Sequence, residues 1–193
     1  MKALGEWRHL CVDMQRMFAE DTPWQVKWLE RISPQVIDVA GRHAERTVFT
    51  RFVPPENAAE APGVWKEYYQ KWWMMTGEHL PPEMVDIIPA LAEFVPPAKI
   101  FDKRVYSPWS DGRLHAAFLR ERVTTVVISG GETDVCVLAT ALGGMDLGYR
   151  VIMLDDAVWS GADETYDASL KLLGDRFSVQ LELMSTEAFL AAL

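Results

Sequence analysis

Short apolar runs rich in branched residues alternate with longer segments of helical spacing along this chain of 193 residues, and the alternation predicts an α/β fold built on a parallel sheet. Thr125-Val126-Val127-Ile128 points the same way, because a strand covered by helices on both sides reads as a near-continuous apolar run. Composition is the third observation. Hydrophobic residues make up 49% and charged residues 24% of the chain, enough apolar material for a sizeable core, which excludes disordered, collagenous and low-complexity readings. At this length a single domain over residues 1–193 is expected.

In chain order, strands are expected at 10–14, 47–52, 98–103, 124–129, 150–154 and 179–184, the fourth at the centre of the sheet. Residues 23–44 carry Trp24, Trp28, Leu29, Ile32, Val36, Ile37 and Ala40, a stripe for one or two helices interrupted near Pro34. Further crossover helices are expected at 111–122, 133–147, 163–174 and 185–193, the last opened by a capping Ser185. Right-handed crossovers place these helices on both faces of the sheet. Residues 54–97 break the rhythm, being Pro-punctuated and too long for a simple connection, and read as an insertion or lid. Within it Trp65, Tyr68, Tyr69, Trp72 and Trp73 fall on one helical face with Lys66, Glu67, Gln70 and Lys71 opposite. An aromatic face of this kind is expected to bury against protein, as core or as a subunit interface, and its size favours a homo-oligomer, a dimer or tetramer.

The chain has 19 Lys and Arg against 28 Asp and Glu, a net charge of −9, and no basic stripe. Nucleic acid and anionic membrane surfaces are therefore poor partners, and a small molecule is the expected ligand. Two cysteines, Cys11 and Cys136, cannot form a disulfide framework, which fits a reducing, cytoplasmic setting. Charges near the N-terminus stand where a signal peptide would place its apolar run, and no stretch approaches the roughly 20 apolar residues of a membrane span. The dinucleotide fingerprint, phosphate loop, His-Glu-x-x-His and Gly-x-Ser-x-Gly motifs are all absent, and His9, His43, His79 and His115 are scattered.

The stretch from Val126 to Ala141 says strand, tight glycine turn, helix. With Thr133 as N-cap, Cys136 falls in the first turn, where free N–H groups and the positive end of the helix favour an anion. A thiolate is such an anion, with a pKa lowered from about 8.5, and the same N–H groups can hold the oxyanion of an attacked carbonyl. Against this, a free cysteine is among the most buried residue types, as expected for Cys11, and on this stretch alone the two readings stand level. Asp13 at the end of the first strand and Lys103 at the end of the third shift the balance, since sites in open parallel sheets assemble at the carboxyl ends of strands. Each taken singly reads as a loop cap or a solvated lysine; three reactive groups at three strand ends read as a site.

At these residues the chain resembles the isochorismatase-like cysteine hydrolases. The resemblance rests on Cys11-Val12-Asp13-Met14-Gln15, on Asp102-Lys103-Arg104-Val105-Tyr106-Ser107-Pro108-Trp109, on the Gly-x-Thr-Asp-x-Cys-Val block at 131–137, and on Gly148-Tyr149-Arg150-Val151 with Asp155-Asp156-Ala157. It implies a three-layer, Rossmann-like fold with a mostly parallel six-stranded sheet and a Cys–Asp–Lys triad. The nucleophile would be Cys136, the acid and base Asp13, and the cation Lys103, with no cofactor. It further implies a non-proline cis peptide at Gly131–Glu132 and an oxyanion hole formed by the N–H groups of Glu132 and Cys136. Glu132 is larger than the small residue of several relatives, so its side chain points away from the pocket or contacts substrate.

Two departures refine the expectation. Phe49-Thr50-Arg51-Phe52-Val53-Pro54 stands where nicotinamidase-type relatives carry an Asp-x-His metal motif, so no catalytic metal is expected. Cys136 is present where isochorismate hydrolases lack it, which favours acyl chemistry on a small amide, ureide or carbamoyl compound. Phe18, Tyr106 and Trp109 are expected to line an apolar wall, and Arg51 to pair with substrate or to form a surface ion pair. The competing readings are a vinyl-ether hydrolase of the same fold and a non-catalytic α/β protein that associates through its aromatic helix.

Overall fold

The computed structural model describes residues 3–193. In chain order the elements are β1 (Trp7–Val12), α1 (Arg16–Ala19), α2 (Trp28–Arg42), β2 (Thr47–Phe52), α3 (Trp65–Lys71), α4 (Pro89–Ala92), β3 (Lys99–Lys103), α5 (Arg113–Arg120), β4 (Thr125–Gly131), α6 (Leu138–Asp146), β5 (Arg150–Trp159), α7 (Asp163–Arg176), β6 (Leu181–Met184) and α8 (Thr186–Ala191). The six strands form one sheet in the order β3-β2-β1-β4-β5-β6. Every neighbouring pair is parallel, so the expected mostly parallel sheet is parallel throughout.

Alternation along the strands divides the core between the two faces. Cys11, Phe49, Val127 and Ile152 point to one side, where Leu29, Ile32, Val36 and Val39 of α2 and Phe189 of α8 cover them. Leu10, Val12, Val126, Ile128, Val151 and Met153 point to the other, under Leu114 and Phe118 of α5, Ala141 and Met145 of α6, and Leu173 of α7. Helices therefore lie on both faces, and β4 is buried along its whole length at the centre, as its composition requires.

Several boundaries differ from the sequence expectation, each for a local reason. The helix over Pro34 is not interrupted: α2 runs through it because Pro34 and Glu30, whose carbonyl loses its partner there, are both exposed, while the buried stripe continues on the opposite face. The first strand begins earlier and ends at Val12, which releases Asp13 into the turn. The fifth runs on to Trp159 because its pairing with β4 shifts register after Ile128 and resumes as Gly130↔Val158 and Gly131↔Trp159. The last strand opens at Leu181 rather than 179. The aromatic helix is shorter than its pattern, since α3 stops at Lys71 and gives way to a tighter turn at Trp73–Met75. At the chain's end Ser185 caps α8 as expected, its hydroxyl accepting from Ala188 N–H at 3.2 Å.

Residues 53–98, between β2 and β3, are tied to the carboxyl end of β1. Gln15, fully buried, donates to the carbonyls of Phe52 (3.1 Å) and Val85 (2.7 Å) and accepts from Phe52 N–H (2.7 Å). Arg16 N–H donates to Asp86 O, and Ile88 N–H to Met14 O. The segment therefore covers the strand ends as fixed structure. Among the described residues no helix is long and apolar enough to cross a membrane.

Candidate active site

In this strand order β1 and β4 are neighbours whose following segments leave toward opposite sides, and a crevice opens at their carboxyl ends. Asp13 is the first residue past β1. It takes φ +51°, a left-handed conformation that Asp adopts more readily than most residues. Its N–H donates to Thr50 O at 3.2 Å, and the Thr50 hydroxyl donates to Asp13 Oδ1 at 2.6 Å, so β2 holds the carboxylate from the side. Lys103, last residue of β3, donates from Nζ to Asp13 Oδ2 at 2.7 Å and lies 3.4 Å from Cys136 Sγ. Three groups expected from three strand ends thus stand in contact.

Two glycines make this approach feasible. Gly130 has φ +97°, and a Cβ there would meet Val12 O at 2.0 Å; a Cβ on Gly131 would meet the Trp159 ring at 2.0 Å. Only glycine fits either position. The Gly131–Glu132 peptide is cis, as the resemblance implied. Beyond it the chain does not enter an α-helix directly. Residues Thr133–Val137 form a π turn ahead of α6, and Thr133, expected as an N-cap, instead donates its hydroxyl to Trp159 O at 2.9 Å. Cys136 sits inside that turn, buried among the three-group cluster and the cavity above it.

The electrostatics differ from the expected lowered thiol pKa. Burial, followed by the neighbouring Asp13 carboxylate, pushes the Cys136 thiol well above its ordinary value, against the pull of Lys103. Burial also disfavours the Lys103 ammonium, but Asp13 and the Cys136 sulfur outweigh it and hold Lys103 above the usual lysine range. The resting cluster is thus a thiol beside an Asp–Lys ion pair. The Asp13 carboxylate is the hydrogen-bond acceptor beside that thiol.

Above the cluster lies a cavity of about 400 Å³, within the size range of small-molecule sites. Phe18 and Tyr106 line it as expected. Trp109 does not: it packs in the core against Phe118 and Tyr149, with its indole N–H donating to Thr140 O at 2.9 Å. Arg51 does not either. It is held by Asp102 in two bonds of 2.7 and 3.0 Å and by Asp86 at 3.0 Å, because strand alternation sends Thr50 and Phe52 toward the site and Arg51 to the other face.

The sequence reading missed the aromatic lining residues Trp24, Phe52, Tyr68 and Trp72, together with Pro23, Gln25, Val26 and Val135. Part of the aromatic stripe is therefore cavity wall, while Tyr69 is buried beneath it and Trp73 is exposed. The spacing of Tyr68 and Trp72, one turn apart beside the buried Tyr69, was the available signal. Glu132 also lines the cavity; a carboxyl oxygen lies beside Gly161, and its charge reaches the lining residues Tyr68 and Tyr106. Burial, then the charges of Asp134 and Asp13, push its carboxyl up to about 7, opposed by a hydrogen bond from the Gly161 backbone.

Comparison with known proteins places this geometry in a family. The chain is 37% identical over 75 residues to isochorismatase family protein 2A of Dictyostelium discoideum, a match covering 37% of this chain and 36% of that protein. It spans between 36% and 54% of the lengths of the curated relatives it matches. Among solved structures, a cysteine hydrolase from Pseudomonas syringae pv. phaseolicola 1448A superposes with a TM-score of 0.84 at 23% identity, over 96% of this chain and 91% of that one. The N-carbamoylsarcosine amidase of Thermoplasma acidophilum superposes with a TM-score of 0.73 at 17% identity, over 94% and 96%. These two likenesses establish the fold. The family model described as the isochorismatase domain matches residues 9–187, nearly the whole chain, and the protein accordingly belongs to the isochorismatase family.

Proposed function

We propose that the protein is a cysteine hydrolase that cleaves a C–N bond of a small amide, ureide or carbamoyl compound through a thioester on Cys136. The observation that carries this reading is the contact cluster at the cavity floor, with Lys103 Nζ 2.7 Å from Asp13 and 3.4 Å from Cys136 Sγ. Asp13 takes the thiol proton, and the thiolate attacks the substrate carbonyl carbon. The oxyanion is received by the backbone N–H groups of Glu132 and Cys136. As the tetrahedral intermediate collapses, Asp13 returns its proton to the departing nitrogen, and the C–N bond breaks to leave a thioester. A water then gives a proton to Asp13 and adds to the thioester carbon. The sulfur leaves, regaining the proton from Asp13, and the acid product departs. Lys103 keeps its proton throughout, holding Asp13 in place and offsetting the negative charge that moves between oxygen and sulfur.

A panel of small amides and ureides, assayed for ammonia release beside pyruvate release from isochorismate, tests this reading. Ammonia from at least one compound, lost by at least about 10³-fold in Cys136→Ala, is the expected result. Pyruvate release that persists in Cys136→Ala would replace it with vinyl-ether hydrolysis.

A further inference from the structure

The wall of the cavity carries a charge pattern that the chemistry at its floor does not require. Phe18, Trp24, Phe52, Tyr68, Trp72 and Tyr106 supply its aromatic surface. Trp24 stands at the hub, with ring centroids 6.1 Å from each of Phe18, Tyr68 and Trp72. Among the described residues that line the cavity there is one carboxyl group, Glu132, and no Lys or Arg. Arg51, the arginine nearest in sequence to this wall, is held away by Asp86 and Asp102.

Resting on the hydrolase reading, we propose that the cavity selects substrates whose non-reacting end is a small organic cation, held between the rings of Trp24, Tyr68 and Trp72 and the carboxylate of Glu132. Aromatic faces carry negative quadrupole density and attract cations, most strongly where water is excluded. The same wall already accepts a positive group at its base, where Lys103 Nζ lies 5.0 Å from the centroid of the Phe52 ring. A substrate carboxylate would instead face Glu132, and the one ammonium at the base of the wall, Lys103, is already held by Asp13 at 2.7 Å. The net charge of −9 likewise favours approach of a cation. Burial raises the Glu132 carboxyl to about 7, and an arriving cation would favour its ionised form.

Three carboxamides of similar ring size test this: 1-methylnicotinamide as the cation, benzamide as the neutral ring and meta-carbamoylbenzoate as the anion. Their dissociation constants, measured by calorimetry on the Cys136→Ala protein, separate binding from turnover. The cation is expected to bind roughly tenfold more tightly than benzamide, and the anion most weakly. Glu132→Gln in the same background should cut the ratio of cation to neutral affinity to about threefold or less, a ratio in which any general loss of fit cancels. Equal binding of all three, preference for the anion, no binding of the cation, or a ratio unchanged by Glu132→Gln would each overturn the proposal.

Should the double variant fail to fold, the pH dependence serves. Asp13, Asp134, Lys103, Cys136, Tyr68 and Tyr106 are the ionisable groups around Glu132. Cation preference should rise between about pH 6 and pH 8 as Glu132 ionises, and a flat profile would overturn the proposal. Ammonia release from the three amides by the unmodified protein is read separately. Cation-selective binding without ammonia from any of them supports this inference and counts against amide hydrolysis; ammonia release indifferent to charge does the reverse.

Discussion

Lys103 is buried to 3% exposure, yet it carries a charge, made tolerable by Asp13, Cys136 Sγ and the Val105 carbonyl, all within hydrogen-bond reach of Nζ. Lys103→Met would leave Asp13 buried with the Thr50 hydroxyl and the Cys136 thiol as its remaining side-chain donors. We expect ammonia release to fall by at least about 10²-fold, and urea denaturation to show a loss on the order of 3–5 kcal/mol, the cost of stranding a buried charge. A variant of unchanged stability would show that the ion pair contributes nothing net. Trp109 lies nearby in the chain and behaves oppositely. Trp109→Ala should cost about 3–5 kcal/mol of stability by opening a cavity under α6, while KM for any substrate found stays within about twofold, because the side chain does not reach the cavity. A KM effect without a stability effect would restore Trp109 to the site.

Asp13, Lys103 and Cys136 were legible because reactive groups at the ends of parallel strands have few structural reasons to be there. Arg51 was half legible. Its neighbours Thr50 and Phe52 share one strand face, and period-two alternation puts Arg51 on the other, a deduction that needs only the strand boundaries. Trp109 was not legible, since the path of the loop after Lys103 decides whether an indole faces the cavity or α6.

His9, in the middle of β1, ties three strands together below the site. Its Nδ1 pairs with Thr47 Oγ1 at 3.1 Å on the β2 side, and its Nε2 with Ser129 Oγ at 2.8 Å on the β4 side. Burial, with the nearby His43 charge a smaller cause, lowers its pKa to about 3. The unfolded chain would titrate this group near its ordinary 6.5, so between about pH 3 and 6.5 the folded state binds fewer protons than the unfolded one. Stability from this source is complete above pH 6.5 and is lost as pH falls through that window. His9→Gln should flatten the decline of denaturation free energy with acid by a few kcal/mol, and an unchanged slope would contradict the assignment. Pro34 and the aromatic stripe taught the opposite lesson about periodicity. The Pro34 ring reads as a break, yet the buried faces on either side carried the helix past it. The aromatic spacing reads as seven or more helical residues of one role, yet Tyr69 serves the core while Tyr68 and Trp72 on either side of it line the cavity.

Across the whole molecule, the central place of the fourth strand and the layering followed from strand composition and right-handed crossovers, whereas the strand order was not read from the sequence. The arrangement of residues 53–98 did not follow. It depends on hydrogen bonds from one side chain, Gln15, and on backbone pairs near Asp86 and Ile88 that leave no periodic trace. That segment brings Tyr68 and Trp72 to the cavity that Cys136 also lines, so under the proposed function it would shape specificity and the strand ends the reaction. The reaction is tested most directly by acid quench during turnover of a compound that releases ammonia, followed by mass spectrometric peptide mapping. The account predicts the substrate's acyl group on the peptide that contains Cys136, and no adduct or turnover in Cys136→Ala. Turnover at an undiminished rate in Cys136→Ala, with no acyl group on that peptide in the parent protein, would contradict it.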